Sequence, residues 1–481
     1  MKSNDNIFKF YFSKYLYLLI SLYLFVWIAI RSYNLDFTND EAYSFYNVYL
    51  KHYKMMLGTA NTHWINSLFL FIENMLLGNK EWMLRIHSVL SFAGVSYFFY
   101  KIFEDKIKIQ QLLFGIAFFL LNVYIFDFYS LARGYGLSIF FEIVFIYLLL
   151  KKEDNGKNKF IAYALLSLSI FSNYMMLFLG LSYIILDFIY LLSKNKNLGK
   201  SIKTWLLHVS PFIFCSLITI PNLIFIKRSG DLNEGQANGF LEDSIGVFIS
   251  RSFETFFTTQ TTAIIASLLF FLIILFFYFF KKEIDSKYRL LFYVFFINVL
   301  LIEFFYIFLN VPFCFGRTSL YLNVLLIILL IYTFSFLIEK SKFHFEIGFF
   351  VFFMSFIYFL FYKNMNTTVE WWKSQGIKES MNYLLNESKE DIGNKKLGMH
   401  LAQYGTYVNY YNLLNHYPFN DTVYSFSESA NDQYDSTTIQ KIYTLDYLIL
   451  LKPYATQFDT SRFQILKYYQ DMNSDLIKLK K

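Results

Sequence analysis

The chain has 481 residues, 56% of them hydrophobic and 16% charged, with a mean hydropathy of +0.38 and a formal net charge of +7. That balance excludes an ordinary soluble globular protein and makes the bilayer the natural solvent. The positive charge does not point to nucleic acid, because the lysines fall in short loops between apolar stretches and not on one face; the two cysteines, Cys215 and Cys314, form neither a disulfide framework nor a zinc pattern.

In chain order, a window of roughly 19 residues picks out about eleven stretches able to cross a hydrocarbon core of about 30 Å. They are 15–30, 86–103, 112–126, 137–150, 160–171, 177–192, 205–226, 263–280, 290–309, 318–338 and 347–362. The first follows Lys2, Lys9 and Lys14 but is longer than a signal-peptide apolar region and lacks a small-residue cleavage site, so it is expected to be retained. With the N-terminus inside, the loops EDKIKIQ, KKEDNGKNK, KNKNLGKSIK, KKEIDSKYR and EKSKFHF all fall on the cytoplasmic side, as the positive-inside rule requires. An odd number of spans then places everything after residue 362 outside.

Two outside pieces are long, 34–85 and 227–262. In the first, DEAYSFYNVYLKHYKMML carries Ala42, Phe45, Tyr46, Tyr49, Tyr53, Met56 and Leu57 at helical spacing, which predicts a helix lying in the membrane interface. In the tail, IKESMNYLLNES and YGTYVNYYNLL read as helices, and KLGMHLA, TVYSF, LDYLILL and FQILKYY as strands. The expected fold is therefore mainly α: a polytopic membrane domain over 1–365 and a small extracytoplasmic α/β domain over 366–481.

The chemistry-bearing residues cluster outside. Thr38-Asn39-Asp40-Glu41 fits a capping box that starts the interfacial helix, and the same rigid start lets Asp40 project as a base. SLARGYGLS, after the third stretch, has Arg133 as its one cation, with Gly134 and Gly136 leaving room for a ligand; snorkelling to headgroups is the structural alternative. VPFCFGRTSLYL repeats the theme with Arg317 after Gly316, and His63 and Arg85 lie on the same side. Charges within spans are costly unless paired. Asp187, at an inner end, can reach water, whereas Glu142 and Glu303 can pair with Arg133 or Arg317. No Walker loop, dinucleotide fingerprint or HExxH motif occurs.

Taken in order, these motifs resemble the GT-C membrane glycosyltransferases, in the branch holding protein O-mannosyltransferases and the aminoarabinose transferases of lipid A. The outside "DE" pair of that family is matched by Asp40 and Glu41. Its histidine or lysine before two prolines is matched by His63, with Trp64 and Ile65 in place of the prolines. The entry to its second span is matched by Arg85 in MLRIHS, where His87 replaces proline. Its Ala-Arg-X-Tyr element is matched by Ala132, Arg133 and Tyr135, and its late Gly-Arg by Gly316 and Arg317.

The resemblance implies transfer of a sugar from a polyprenyl-phosphate donor to a hydroxyl of a protein, lipid or glycan acceptor at the outer face of the cytoplasmic membrane, with inversion. It implies Asp40 as base with Glu41 as cap or helper, Arg133, Arg317 and His63 at the donor phosphate, and Arg85, Tyr135 and Glu303 in support. Metal dependence varies within the wider fold; nothing here demands a metal, and a divalent cation stays open as cofactor. The rival reading from another class is a secondary transporter or flippase of lipid-linked sugar, acting without chemistry. A polysaccharide polymerase and a non-catalytic carrier-binding relative are further alternatives.

Overall fold

The computed structural model describes residues 2–45, 63–104, 109–151, 155–194, 198–228, 238–253, 257–339, 341–371, 377–387, 397–401, 410, 424–427, 436–443, 445–451, 463–469 and 474–479. The stripe of the expected interfacial helix beyond Phe45, and the expected helix YGTYVNYYNLL apart from Tyr410, lie outside these residues. The chain divides into two compact units. The first comprises 1–30, 57–66 and 86–363, and the second 31–56, 67–85 and 364–481.

Nearly all the membrane stretches become helices: α1 (Lys2–Asn34), α4 (Ile86–Glu104), α7 (Gly134–Lys151), α8 (Gly156–Ser172), α9 (Met176–Lys194), α10 (Leu198–Arg228), α12 (Thr259–Phe279), α13 (Ser286–Leu309), α14 (Leu320–Ile338) and α15 (His344–Tyr362). Between them lie the short α2 (Asn39–Tyr43), α3 (Trp64–Leu76), α5 (Ile109–Gly115), α6 (Val123–Asp127) and α11 (Val247–Ser252). Among the described residues nine helices are long and apolar enough to span a bilayer, and this is a multi-pass membrane protein. Exposed apolar residues say the same. Leu18, Leu19, Leu22 and Val26 of α1, and Leu207, Phe214 and Leu217 of α10, stand on the surface; each would be unfavourable in water at about 25 cal/mol per Å², and lipid removes that cost.

Two expected spans depart from the pattern. The fifth, α8, is a helix of only 17 residues. The third is not one helix: α5 passes into a π-helical turn over Ile116–Leu120, the chain breaks at Leu121 and Asn122, and α6 restarts with the Asn122 side chain accepting from the Ile125 amide at 3.0 Å. The helices also differ in depth. Of the spanning window in α14, 72% is buried, against 17% in α15, so α14 lies in the middle of the first unit. It and α7 are apolar on every side, as a helix surrounded by other helices should be.

In the second unit α16 (Ile377–Glu387) accompanies a sheet of β1 (Leu397–Leu401), β2 (Tyr424–Ser427), β3 (Tyr447–Leu451), β4 (Phe463–Tyr469) and β5 (Ser474–Leu479). The order is β2-β1-β3-β5-β4, with β1 parallel to β2 and β3, and β5 antiparallel to β3 and β4. Leu448 of β3 and Ile477 and Leu479 of β5 bury one face against Ile442 and Leu445. The four expected strands are present, and β5 is additional.

Candidate active site

In the second unit, Thr38 caps α2 as its spacing predicts. Its hydroxyl accepts from the Glu41 amide at 3.3 Å, and its own amide donates to Glu41 Oε2 at 2.8 Å. The Glu41 carboxylate is then fully engaged by Arg85, whose Nε donates to Oε1 at 2.8 Å and Nη2 to Oε2 at 2.7 Å. The remaining guanidinium donors reach the carbonyls of Ser32, Leu35 and Asp36 at 2.8–2.9 Å. Both side chains are completely buried. A two-bond pair of this kind fixes orientation as well as charge, so Glu41 and Arg85 lock the segment 32–41. Asp40, 7% exposed, sits on the locked helix beside them.

The same segment is clamped by an aromatic side chain from the tail. Tyr410 stacks on Phe37 with centroids 4.4 Å apart and meets Phe45 edge-on at 5.7 Å, while its hydroxyl donates to the Asn79 carbonyl at 3.0 Å. Phe37 and Phe45 flank Asp40 and Glu41 in sequence. Burial holds the Tyr410 phenol well above its ordinary range, so it stays a neutral donor. Nothing in the tail sequence marks Tyr410 for this role.

In the first unit the residues expected at the donor phosphate form a second group. Gly134 opens α7, and a Cβ there would fall 2.0 Å from the Ser172 carbonyl and 2.8 Å from His63; only glycine lets these backbones approach. The imidazole thereby reaches Ser172, with Nδ1 at 2.6 Å from the carbonyl oxygen. A carbonyl can only accept, so Nδ1 carries a proton. Tyr135 meets the His63 ring edge-on at 4.9 Å, and the fully buried Arg133 lies 6.0 Å from the centre of the Tyr135 ring. Trp64, where the resembled family has proline, donates to the Tyr174 hydroxyl at 2.6 Å, which also accepts from Asn222 at 2.7 Å. His87 donates to Asn66 at 2.9 Å.

Arg317, half-buried, stands in the 3-10 turn Gly316–Ser319. Gly316 adopts φ +53°, a left-handed conformation that glycine accepts without strain. Asn323 pins this turn by donating to the carbonyls of Ser319 and Ser244 at 2.9 and 3.0 Å, and Ser244 donates to the Cys314 carbonyl at 2.7 Å. The turn packs against α11.

From His63 a line of edge-on aromatic contacts runs through Tyr135, Phe128 and Tyr124 to Phe248 of α11, at 4.9 to 6.0 Å. Phe248 lines a cavity of about 540 Å³, almost wholly apolar, with Phe118, Leu121, Ile327 and Tyr358; Asn122 and Ser252, hydrogen-bonded at 3.0 Å, are polar points in its wall. The cavity exists because the third stretch breaks beside it. Within 112–126 only Asn122 interrupts the apolar run, and the sequence alone predicts one span through it.

The expected pairing of span carboxylates with arginines does not occur. Among the described residues neither Glu142 nor the half-buried Glu303 makes an ion pair, and both Glu142 oxygens lack a hydrogen-bond partner. His63, Arg133, Tyr135 and Arg317 belong to the first unit, and Asp40, Glu41 and Arg85 to the second.

Fold and site together define a multi-pass membrane protein with buried guanidinium and imidazole groups linked to an apolar cavity. No protein-family model matches the chain, and no curated protein matches it. Among solved structures it is similar to ArnT from Cupriavidus metallidurans in the apo state, at a TM-score of 0.41, and to the same protein bound to undecaprenyl phosphate, at 0.40. Both comparisons give 10% identity over 96% of this chain and 97% of the other. At these TM-scores the chemistry has to come from this chain's own residues.

Proposed function

We propose that this protein is a membrane glycosyltransferase that moves a sugar from a polyprenyl-phosphate donor to a hydroxyl acceptor at the outer face of the cytoplasmic membrane, with its N-terminus inside and the domain over 366–481 outside. The observation that carries this reading is the aromatic line joining His63 and Arg133 to the apolar cavity. A lipid-linked phosphate needs both: cations for its head, and an apolar space, within the ordinary range of about 300–1,000 Å³ for ligand sites, for the start of its tail.

The reaction is a single displacement. The acceptor O–H gives its proton to the Asp40 carboxylate while its oxygen attacks the anomeric carbon. The carbon–oxygen bond to phosphate breaks with its electron pair on the phosphate, and Arg133 and Arg317, with His63 as the doubly protonated imidazolium, stabilise that charge as it grows. Inversion follows from attack opposite the leaving group. Glu41 and Arg85, already committed to each other, hold Asp40 in place and do not exchange protons.

The test is transfer of labelled sugar from a polyprenyl-phosphate donor by purified Asp40→Asn protein. Loss of transfer by about 10²–10⁴-fold, with donor binding retained, is expected of a missing general base; undiminished turnover removes Asp40 from the role. One observation favours the rival reading. Interrupted helices such as the third stretch are common in transporters, and lipid-linked sugar movement without transfer in the same assay would select it.

A further inference from the structure

The helix that carries Asp40, α2, is five residues long. A helix that short does not hold its own shape, since isolated helices below about 12–15 residues are marginal in water. Its place therefore depends on what packs around it. One side is fixed by charge, where Glu41 and Arg85 join the segment 32–41 to the turn Met83–Arg85. The other side is fixed from the tail.

A single ring dominates there. Tyr410, completely buried, stacks on Phe37 at 4.4 Å, just ahead of the Thr38 cap, and meets Phe45 at 5.7 Å, just beyond the last turn, so it brackets α2 from both ends. Both phenylalanines are buried with it. Its hydroxyl donates to the Asn79 carbonyl at 3.0 Å, which ties the same ring to the stretch that runs into Arg85. Two further tail contacts reach the same pair of segments. Buried Arg31 donates from Nε and Nη2 to the carbonyls of Asn364 and Thr367 at 2.6 and 2.5 Å, and Nζ of Lys378 in α16 stands 2.6 Å from Glu81 Oε1. The Lys378 side chain is 36% exposed, and an ion pair so open to water adds little; the buried ring is the contact that decides. All these residues belong to the second unit.

We infer that Tyr410 is a positioning residue for Asp40: the tail domain completes the base-bearing helix, and sugar transfer requires the bracket that this ring closes on Phe37 and Phe45. The inference rests on the reading of Asp40 as the base. A base must stand within hydrogen-bond reach of the acceptor hydroxyl, and a misplacement of about 1 Å at such a group costs on the order of 10²-fold in rate. The donor residues Arg133, Arg317 and His63 belong to the first unit. Removing the ring should therefore lower turnover and spare donor binding.

The test compares full-length wild type, Tyr410→Ala, Tyr410→Phe and Asp40→Asn in detergent. Amide hydrogen exchange over 38–45 is expected to rise roughly tenfold or more in Tyr410→Ala, and to return to the wild-type rate in Tyr410→Phe, whose ring restores the bracket without the hydroxyl. In the same proteins kcat should fall roughly 10²-fold in Tyr410→Ala with donor Kd unchanged, and recover in Tyr410→Phe. Unchanged exchange over 38–45 in Tyr410→Ala, or unchanged kcat there beside an inactive Asp40→Asn, would overturn this inference and leave the base reading standing. An active Asp40→Asn would remove both. If Tyr410→Ala does not fold, Phe45→Leu opens the bracket from the other side, and unaltered exchange or kcat in that variant overturns the inference alone.

Discussion

Glu41 and Glu142 are both completely buried, yet the two regions treat a buried carboxylate in opposite ways. Around Glu41 the chain supplies everything: two guanidinium bonds from Arg85, a backbone amide from Thr38, and a helix start that favours negative charge. Around Glu142, among the described residues, neither carboxyl oxygen has a hydrogen-bond partner and no ion pair forms. A self-sufficient pair is a structural lock, in keeping with Glu41 holding the helix that carries Asp40. Burial alone therefore does not tell a functional acid from a structural one; the partners do.

The contrast can be broken from either side. Arg85→Ala should have the largest effect, because it leaves Glu41 buried without its countercharge, at about 3–5 kcal/mol. Unfolding in detergent would show it, and a small change would mean that the lock is not needed. Tyr410→Phe keeps both ring contacts on the segment that Glu41 anchors and removes only the hydrogen bond to Asn79, an expected loss of about 1 kcal/mol with transfer retained. Glu142→Gln should be the mildest, within about 1 kcal/mol, since the amide keeps the shape of a carboxyl whose oxygens have no hydrogen-bond partner among the described residues. A loss as large as that of Arg85→Ala would show that Glu142 is a structural partner after all.

The sequence reveals the first unit's helices because the bilayer makes hydropathy dominate every other preference, and it reveals Arg133 because a lone cation beside two glycines stands out in an apolar chain. It does not reveal the break at Leu121 and Asn122, since Asn122, which caps α6, is a single polar residue in an otherwise apolar stretch. The contact of Gly134 with His63 and Ser172 is likewise tertiary. Glu41 was legible as a cap through its spacing from Thr38, but its engagement by Arg85 joins residues 44 positions apart. Strand β5, SDLIKL, is short and half polar, and only pairing on both sides with β3 and β4 makes it a strand. Tyr410 is one tyrosine among 40, and nothing local distinguishes it.

The central claim is that Arg133, against Tyr135 at one end of the aromatic line that leads to the apolar cavity, receives a lipid-linked phosphate. Equilibrium binding of a polyprenyl phosphate to purified wild-type and Arg133→Ala protein, at equal stability in the same detergent, tests it most directly. A charge-assisted hydrogen bond contributes about 1.5–3 kcal/mol, so Kd should rise roughly 10- to 150-fold in the variant. Equal affinity in the two proteins would contradict the assignment.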